Sequence, residues 1–186
     1  MKKAVFLDRD GTINVEKDYL FRVEEFEFIP GSPEAVRMLN ESGFLVVIVS
    51  NQSGVARGYY SEDDVELLHR HIAGELAKSG AKVDAWFYCP HHPEGKGSYS
   101  LTCTCRKPLP GMLLDAAGRY DIDLSASVMI GDKLVDIEAG SAAGCRSILV
   151  RSGYGGQLEG IAPNNQEIYD DLLAAVKELL NPCNGI

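Results

Sequence analysis

Phe6-Leu7-Asp8-Arg9-Asp10-Gly11-Thr12 closes the first apolar run of the chain, and its reading governs the rest. Ala4–Leu7 is four apolar residues that stop abruptly on two carboxylates spaced two apart, followed by a glycine. A run this short predicts a buried strand with an acidic cluster beyond its carboxyl end. Lys2 and Lys3 precede it, but four residues are too few for the apolar region of a secretory signal. No other run approaches the roughly 20 apolar residues that span a bilayer. The expected location is cytoplasmic, with no membrane partner.

Outward from this strand the same alternation recurs. Pro33–Asn40 reads as a helix with proline in its first turn and Gly43 beyond its end. Phe44–Val49 is an apolar, valine-rich strand suited to burial on both faces. Ser61 opens a long helix: Asp64 stands at the capping-box position, Val65, Leu68, Ile72 and Leu76 keep helical spacing, and Gly80 ends it. Ala85–Tyr88, Val128–Ile130 and Ser147–Val150 are expected strands. Gly111–Tyr120, Val135–Ala143 and Tyr169–Leu180 are expected helices. Pro90–Pro110 has no periodicity and reads as a loop. Strand–helix alternation predicts an α/β fold with a parallel sheet flanked by helices, in a single domain over residues 1–186.

The composition agrees. The chain has 186 residues, 18 Lys+Arg against 27 Asp+Glu and a net charge of −9, with no basic run, so nucleic acid is not an expected partner. At 45% hydrophobic residues and this length the core needs no covalent staples. Five cysteines in a reducing compartment suggest metal ligation or free thiols.

In parallel sheets, ligands bind beyond the carboxyl ends of the strands. Those ends carry Asp8 and Asp10, Ser50 and Asn51, and Gly131-Asp132-Lys133 with Asp136 close behind, while Lys107 ends the loop just before a helix. Asp8 is placed to attack, and Asp10 to protonate a leaving group and then deprotonate water. Attack on an anionic phosphoryl group needs positive charge. Asp8 and Asp132 are hard oxygen ligands for Mg²⁺, Lys107 adds a fixed cation, and the Ser50 hydroxyl adds a donor.

Cys89-Pro90-His91 and Cys103-Thr104-Cys105 flank the loop. Three thiolates and an imidazole suit tetrahedral Zn²⁺, and such a site would order residues 89–105 and fix Arg106 and Lys107. Reduced thiols, a Cys103–Cys105 redox pair, and His92 in place of His91 are the alternatives. Cys145 is expected in the core and Cys183 in a terminal tail.

The first motif resembles the DxDGT phosphatase form of the haloacid dehalogenase superfamily. Ser50-Asn51 resembles its second motif, Lys107 its third, and Gly131-Asp132-Lys133-Leu134-Val135-Asp136 its fourth, with Asp136 at a second acidic position. The resemblance implies a Rossmann-like sheet and a phosphoaspartyl enzyme. Asp8 is then the nucleophile and Asp10 the acid/base. Ser50 and Lys107 stabilise phosphate, and Mg²⁺ is held by Asp8, the Asp10 carbonyl and Asp132. Only about 40 residues separate the first two motifs, which leaves no room for a large cap domain.

The Cys/His loop and the runs Ser50-Asn51-Gln52-Ser53-Gly54 and Cys105-Arg106-Lys107-Pro108 resemble a subgroup acting on small phosphate esters. The resemblance implies removal of the 7-phosphate from a heptose 1,7-bisphosphate, a step toward nucleotide-activated heptose for lipopolysaccharide or surface glycans. Histidinol phosphate is the alternative substrate, and a receiver-type phospho-acceptor without enzymatic activity is the most distant reading. The stretch Glu16–Tyr19, with Glu16 and Tyr19 foremost, and Ser50, Asn51, Gln52, Ser53, Arg106, Lys107 and Lys133 then line the substrate site. Arg106 is suited to a second, non-reacting phosphate because it can bind it bidentately. Nothing in the sequence demands a dimer, and a monomer is expected.

Overall fold

In this computed structural model the described residues are 1–181 apart from Glu159 and Asn164. Six parallel strands form one sheet in the order β3-β2-β1-β4-β5-β6. They are β1 (Ala4–Leu7), β2 (Leu45–Asn51), β3 (Ala85–Cys89), β4 (Val128–Gly131), β5 (Arg146–Val150) and β6 (Glu167–Tyr169). The helices are α1 (Ser32–Glu41), α2 (Ser53–Arg57), α3 (Glu62–Lys78), α4 (Gly111–Tyr120), α5 (Leu134–Ala143) and α6 (Leu172–Leu179).

The two-residue period of the strands sorts their side chains onto two faces. Val5, Leu7, Val46 and Ile48 pack with Val36 of α1, Leu68 of α3 and Val176 of α6. Ala4, Phe6, Val47 and Val49 pack with Leu113 of α4 and Ala139 of α5. Cys145 joins this second cluster, as its sequence context suggests; Cys183 lies outside the described residues. The expected α/β layering with a parallel sheet is present. Between β1 and β2 the chain forms α1 and one 3-10 turn at Val23–Glu25, so no cap covers that edge.

Several boundaries differ from the sequence expectation, each for a local reason. β2 begins at Leu45 and runs through Asn51, because Ser50 and Asn51 still pair with Tyr88 and Cys89. The motif residues therefore end the strand instead of following it. α2 was not expected, since five residues containing Gly54 show no period. The terminal helix starts at Leu172, not Tyr169. Asp171 caps it by accepting from the Ala174 amide at 2.8 Å, which frees Glu167–Tyr169 to pair with β5 as an edge strand.

The capping box predicted at Ser61 is present. Ser61 Oγ accepts from the Asp64 amide at 3.2 Å, and Asp64 Oδ2 accepts from the Ser61 amide at 2.8 Å. Ser61→Ala is expected to destabilise the protein by about 1 kcal/mol, a fall in Tm of about 2–4 °C, measured by thermal unfolding.

Candidate active site

The strand order reverses direction between β1 and β4, which places the residues following these two strands side by side. Asp8 follows β1 and Asp132 follows β4, both buried. Gly11 lets them approach. Its φ is +84°, and a Cβ there would collide with the Asp132 carboxylate. Gly153 abuts the same carboxylate from the loop after β5, so any larger residue would displace it.

Lys107 enters from the loop before α4 and is 2% exposed. Its Nζ donates to Asp8 Oδ1 at 2.8 Å and to the Val49 carbonyl at 2.7 Å, and lies 2.6 Å from Asp136 Oδ1. Burial alone would lower the lysine's pKa, but the Asp136 and Asp8 carboxylates outweigh it and the pKa is raised. Lys107 therefore stays charged. Asp136 also accepts from the Lys133 amide at 2.9 Å. With one oxygen on a lysine and the other on an amide, Asp136 orients Lys107 and the start of α5.

Asp132 is different. Its Oδ2 accepts from the Tyr154 amide at 2.9 Å, but its buried Oδ1 has no hydrogen-bond partner. Burial, then the nearby Asp8 charge, push its pKa up to about 8. Carboxylate oxygens of Asp8, Asp132 and Asp136 lie within 4.8 Å of one another. An orphaned buried oxygen among three carboxylates is the environment a hard divalent cation neutralises, so the residues fit Mg²⁺. Without it, three acids face one deeply buried lysine, with Lys133 Nζ 4.0 Å from Asp132.

Asp10 sits at the mouth. It pairs with the buried Arg9 at 2.8 Å and accepts from Asn14 at 3.0 Å and Gln52 at 3.2 Å. Burial would raise its pKa, but the Arg9 charge and these bonds prevail and hold it below the usual carboxylate range. Arg9 itself was not singled out by sequence. It is 1% exposed, bonded to the Leu20 carbonyl at 3.0 Å, and faces His69, which is stacked on Trp86 and kept neutral with a pKa near 3 by burial and by the Arg9 charge.

A small cavity bounded by Asp8, Asp10, Ser50, Lys107 and Asp136 opens beside a larger one of about 240 Å³. The larger is lined by Glu16, Asp18 and Tyr19 from the anticipated Glu16–Tyr19 stretch, by Asn51, Gln52, Ser53 and Lys133, also anticipated, and by Tyr60 and Tyr154, which were not. Lys133 Nζ pairs with Glu16 at 2.8 Å and lies 5.1 Å from the Tyr154 ring centre, while the Tyr154 hydroxyl donates to Asp18 at 3.0 Å. Tyr60 and Tyr154 lie in no motif and carry no periodic signal. Asp18 and Tyr19 both have positive φ, 43° and 62°, a backbone costly for non-glycine residues and often kept at ligand sites.

Asn51 donates to the Lys107 carbonyl at 3.0 Å and accepts from the Lys107 amide at 3.1 Å, so it fixes that residue's backbone. Arg106 does not line the 240 Å³ cavity. It donates to the His91 carbonyl at 3.3 Å and borders a neighbouring cavity with His92 and Leu109.

Cys89, His91, Cys103 and Cys105 converge. The sulfurs are 3.2–3.4 Å apart, and His91 Nδ1 is 3.5 Å from Cys105 Sγ and 3.8 Å from Cys89 Sγ. No disulfide joins them. His92 points elsewhere, its Nδ1 accepting from the Glu94 amide at 3.1 Å. Burial raises the Cys89 thiol's pKa, and clustered thiols raise that of Cys105 further. A cation that accepts four soft donors relieves this, so the set fits Zn²⁺.

Comparison with known proteins adds names to this geometry. The HAD-hydrolase-like family matches residues 104–175. The D-glycero-beta-D-manno-heptose-1,7-bisphosphate 7-phosphatase of Pasteurella multocida is 49% identical over 154 residues, 82% of this chain and 84% of the relative. That of Haemophilus influenzae is 44% identical over 182 residues, 96% and 99%. The structure of D,D-heptose 1,7-bisphosphate phosphatase from B. bronchiseptica, complexed with magnesium and phosphate, superimposes with a TM-score of 0.87 at 38% identity, covering 97% of this chain and 99% of that one.

The acid cluster gives a pH signature. Asp132 and Asp136 have folded pKa values raised to about 8 and about 6 from 3.8. The folded protein then holds protons that the unfolded chain releases, so metal-free stability falls as pH rises from about 5 to 8. Tm measured across that range without metal is expected to drop, Asp132→Asn to flatten the drop, and Mg²⁺ at pH 8 to raise Tm in the parent only. A flat parent profile with no response to Mg²⁺ contradicts the clustering.

Proposed function

The chain belongs to the haloacid dehalogenase-like hydrolases, in the family of the D-glycero-D-manno-heptose-1,7-bisphosphate 7-phosphatases, and from that premise we propose how its residues carry out the reaction. It is a phosphoric monoester hydrolase that removes the 7-phosphate of the heptose bisphosphate. The observation that carries this is identity of 44–49% over 82–96% of this chain to such phosphatases together with a lysine clamped between two carboxylates at the sheet's switch point.

Asp8 attacks phosphorus, and the bond to the sugar oxygen breaks. The proton for that leaving oxygen comes from Asp10. Asp10 rests ionised beside Arg9; an anionic phosphate arriving next to it raises its proton affinity, so Asp10 takes up one proton from solvent as substrate binds and passes that proton to the leaving oxygen. Asp10 then takes a proton from water, which attacks the same phosphorus and releases Asp8. Lys107 and the Ser50 hydroxyl bear on the phosphoryl oxygens throughout. Asp8, Asp132 and the Asp10 carbonyl would hold Mg²⁺, which when bound would supply compensating positive charge.

Glu16, Tyr19, Ser53 and Lys133 are assigned to the sugar side because they line the larger cavity, with Asn51 and Gln52 beside them. Arg106 is assigned to the non-reacting phosphate on its fixed-cation chemistry, from its separate position on the zinc loop. The product keeps its anomeric phosphate, the group that nucleotide activation requires. The cleft needs residues from one chain only, which supports a monomeric, single-domain enzyme, and no described helix is long and apolar enough to cross a membrane.

Zn²⁺ is assigned to Cys89, His91, Cys103 and Cys105. Four protein donors leave no open position, so its role is structural. Cys105 lies two residues before Lys107, and the Gln52 amide donates to the Cys89 carbonyl at 2.8 Å, so the loop's order reaches the catalytic groups.

Two measurements test this reading. The ratio kcat/KM is expected to be higher for heptose 1,7-bisphosphate than for histidinol phosphate or simple sugar phosphates; preference for histidinol phosphate contradicts the substrate assignment. Metal analysis of protein purified without chelator is expected to give close to one zinc per chain, and less than about half an equivalent contradicts the four-ligand site.

A further inference from the structure

Ser50 has one hydroxyl proton to give, and its neighbours decide where it goes. Gln52, two residues on, is 2% exposed, and all four hydrogen-bonding positions of its amide are occupied. Its Oε1 accepts from the Tyr60 hydroxyl at 2.8 Å and from Arg9 Nη2 at 3.3 Å. Its Nε2 donates to Ser50 Oγ at 2.7 Å and to Asp10 Oδ2 at 3.2 Å.

The orientation of this amide is forced. A guanidinium only donates, so the face of Gln52 toward Arg9 must be its oxygen, and the face toward Ser50 and the Asp10 carboxylate must be its nitrogen. The bond from Nε2 then occupies an acceptor position of the Ser50 oxygen. The Ser50 proton is left for an acceptor in the small cavity that Ser50 shares with Asp8 and Lys107. Tyr60 is held for its part in this. Its ring stacks on Phe21 with centres 5.2 Å apart and presses on Gly54, where a Cβ would collide with it.

We propose that Tyr60 and Arg9 are positioning residues which, through the Gln52 amide, direct the Ser50 hydroxyl at the transferring phosphoryl group. The inference rests on the phosphoaspartyl reading above and adds two residues outside its catalytic set. Gln52 acts here as the connector between them and the serine.

Tyr60→Phe removes one hydroxyl and keeps the ring on Phe21. Its kcat on an aryl phosphate and on heptose 1,7-bisphosphate is expected to fall by a factor of about 5 to 10, the worth of one hydrogen bond, with KM changed less than about twofold. In a Ser50→Ala background the same substitution is expected to change kcat by less than about twofold, because the group it positions is gone. Gln52→Glu keeps the acceptor toward Tyr60 and Arg9 but removes the donor toward Ser50. It is expected to lose kcat at least as strongly, and it carries the test should Tyr60→Phe fold poorly. An unchanged kcat in both variants, or an equal loss with and without Ser50, overturns the relay. Asp8→Asn is measured alongside: if it still turns over, or if wild type does not, the phosphatase reading falls and the relay falls with it. Wild-type turnover abolished by Asp8→Asn, with Tyr60→Phe and Gln52→Glu fully active, overturns the relay alone.

Discussion

The ammonium of Lys107 lies between Asp8 and Asp136, out of water, with its third bond to the Val49 carbonyl. Removing the lysine would leave these buried carboxylates without their fixed counter-charge, which costs about 3–5 kcal/mol. Much of the molecule is arranged around this contact. β1 delivers Asp8, β2 brings Val49 and the Asn51 amide that fixes the Lys107 backbone, and the first turn of α5 supplies Asp136. The loop from Cys89 to Cys105 leads directly into Lys107, the last of its clustered thiols lying two residues before it.

Around that pair, charge is distributed with a purpose. Asp132 is buried with one oxygen unsatisfied, which prepares the switch point for a cation. Asp10 is kept ionised by an arginine whose other neighbour, His69, is prevented by burial from adding charge. The two acidic residues of one motif thus occupy opposite environments: Asp8 faces a lysine and an acid cluster, and Asp10 faces donors only. In the proposed mechanism this separation lets one carboxylate attack while its neighbour handles protons.

Much of this was legible in the sequence because the chemistry follows strands. Each short apolar run marks a strand, and each run ends on the polar group that the sheet gathers, so Asp8, Ser50 and Asp132 could be placed together before their distances were known. The Ser61 capping box was readable from spacing alone. What escaped has a common cause. Arg9, Tyr60 and Tyr154 act across the fold, through contacts between residues far apart in sequence, and no local period announces them. β6 is three residues long with a polar start and merged with the helix behind it until the Asp171 cap separated the two. Charge alone could not tell which cavity Arg106 borders: its side chain donates to the His91 carbonyl and lines the cavity it shares with His92 and Leu109.

The central claim is that Asp8 is the group that becomes phosphorylated. The most direct measurement uses Asp10→Asn, which on the proposed mechanism is expected to slow release of the acyl phosphate. Protein quenched in acid during turnover, reduced with borohydride and mapped by mass spectrometry should carry homoserine at position 8 and nowhere else. Reduction at another carboxylate, with Asp8 intact, would contradict the account.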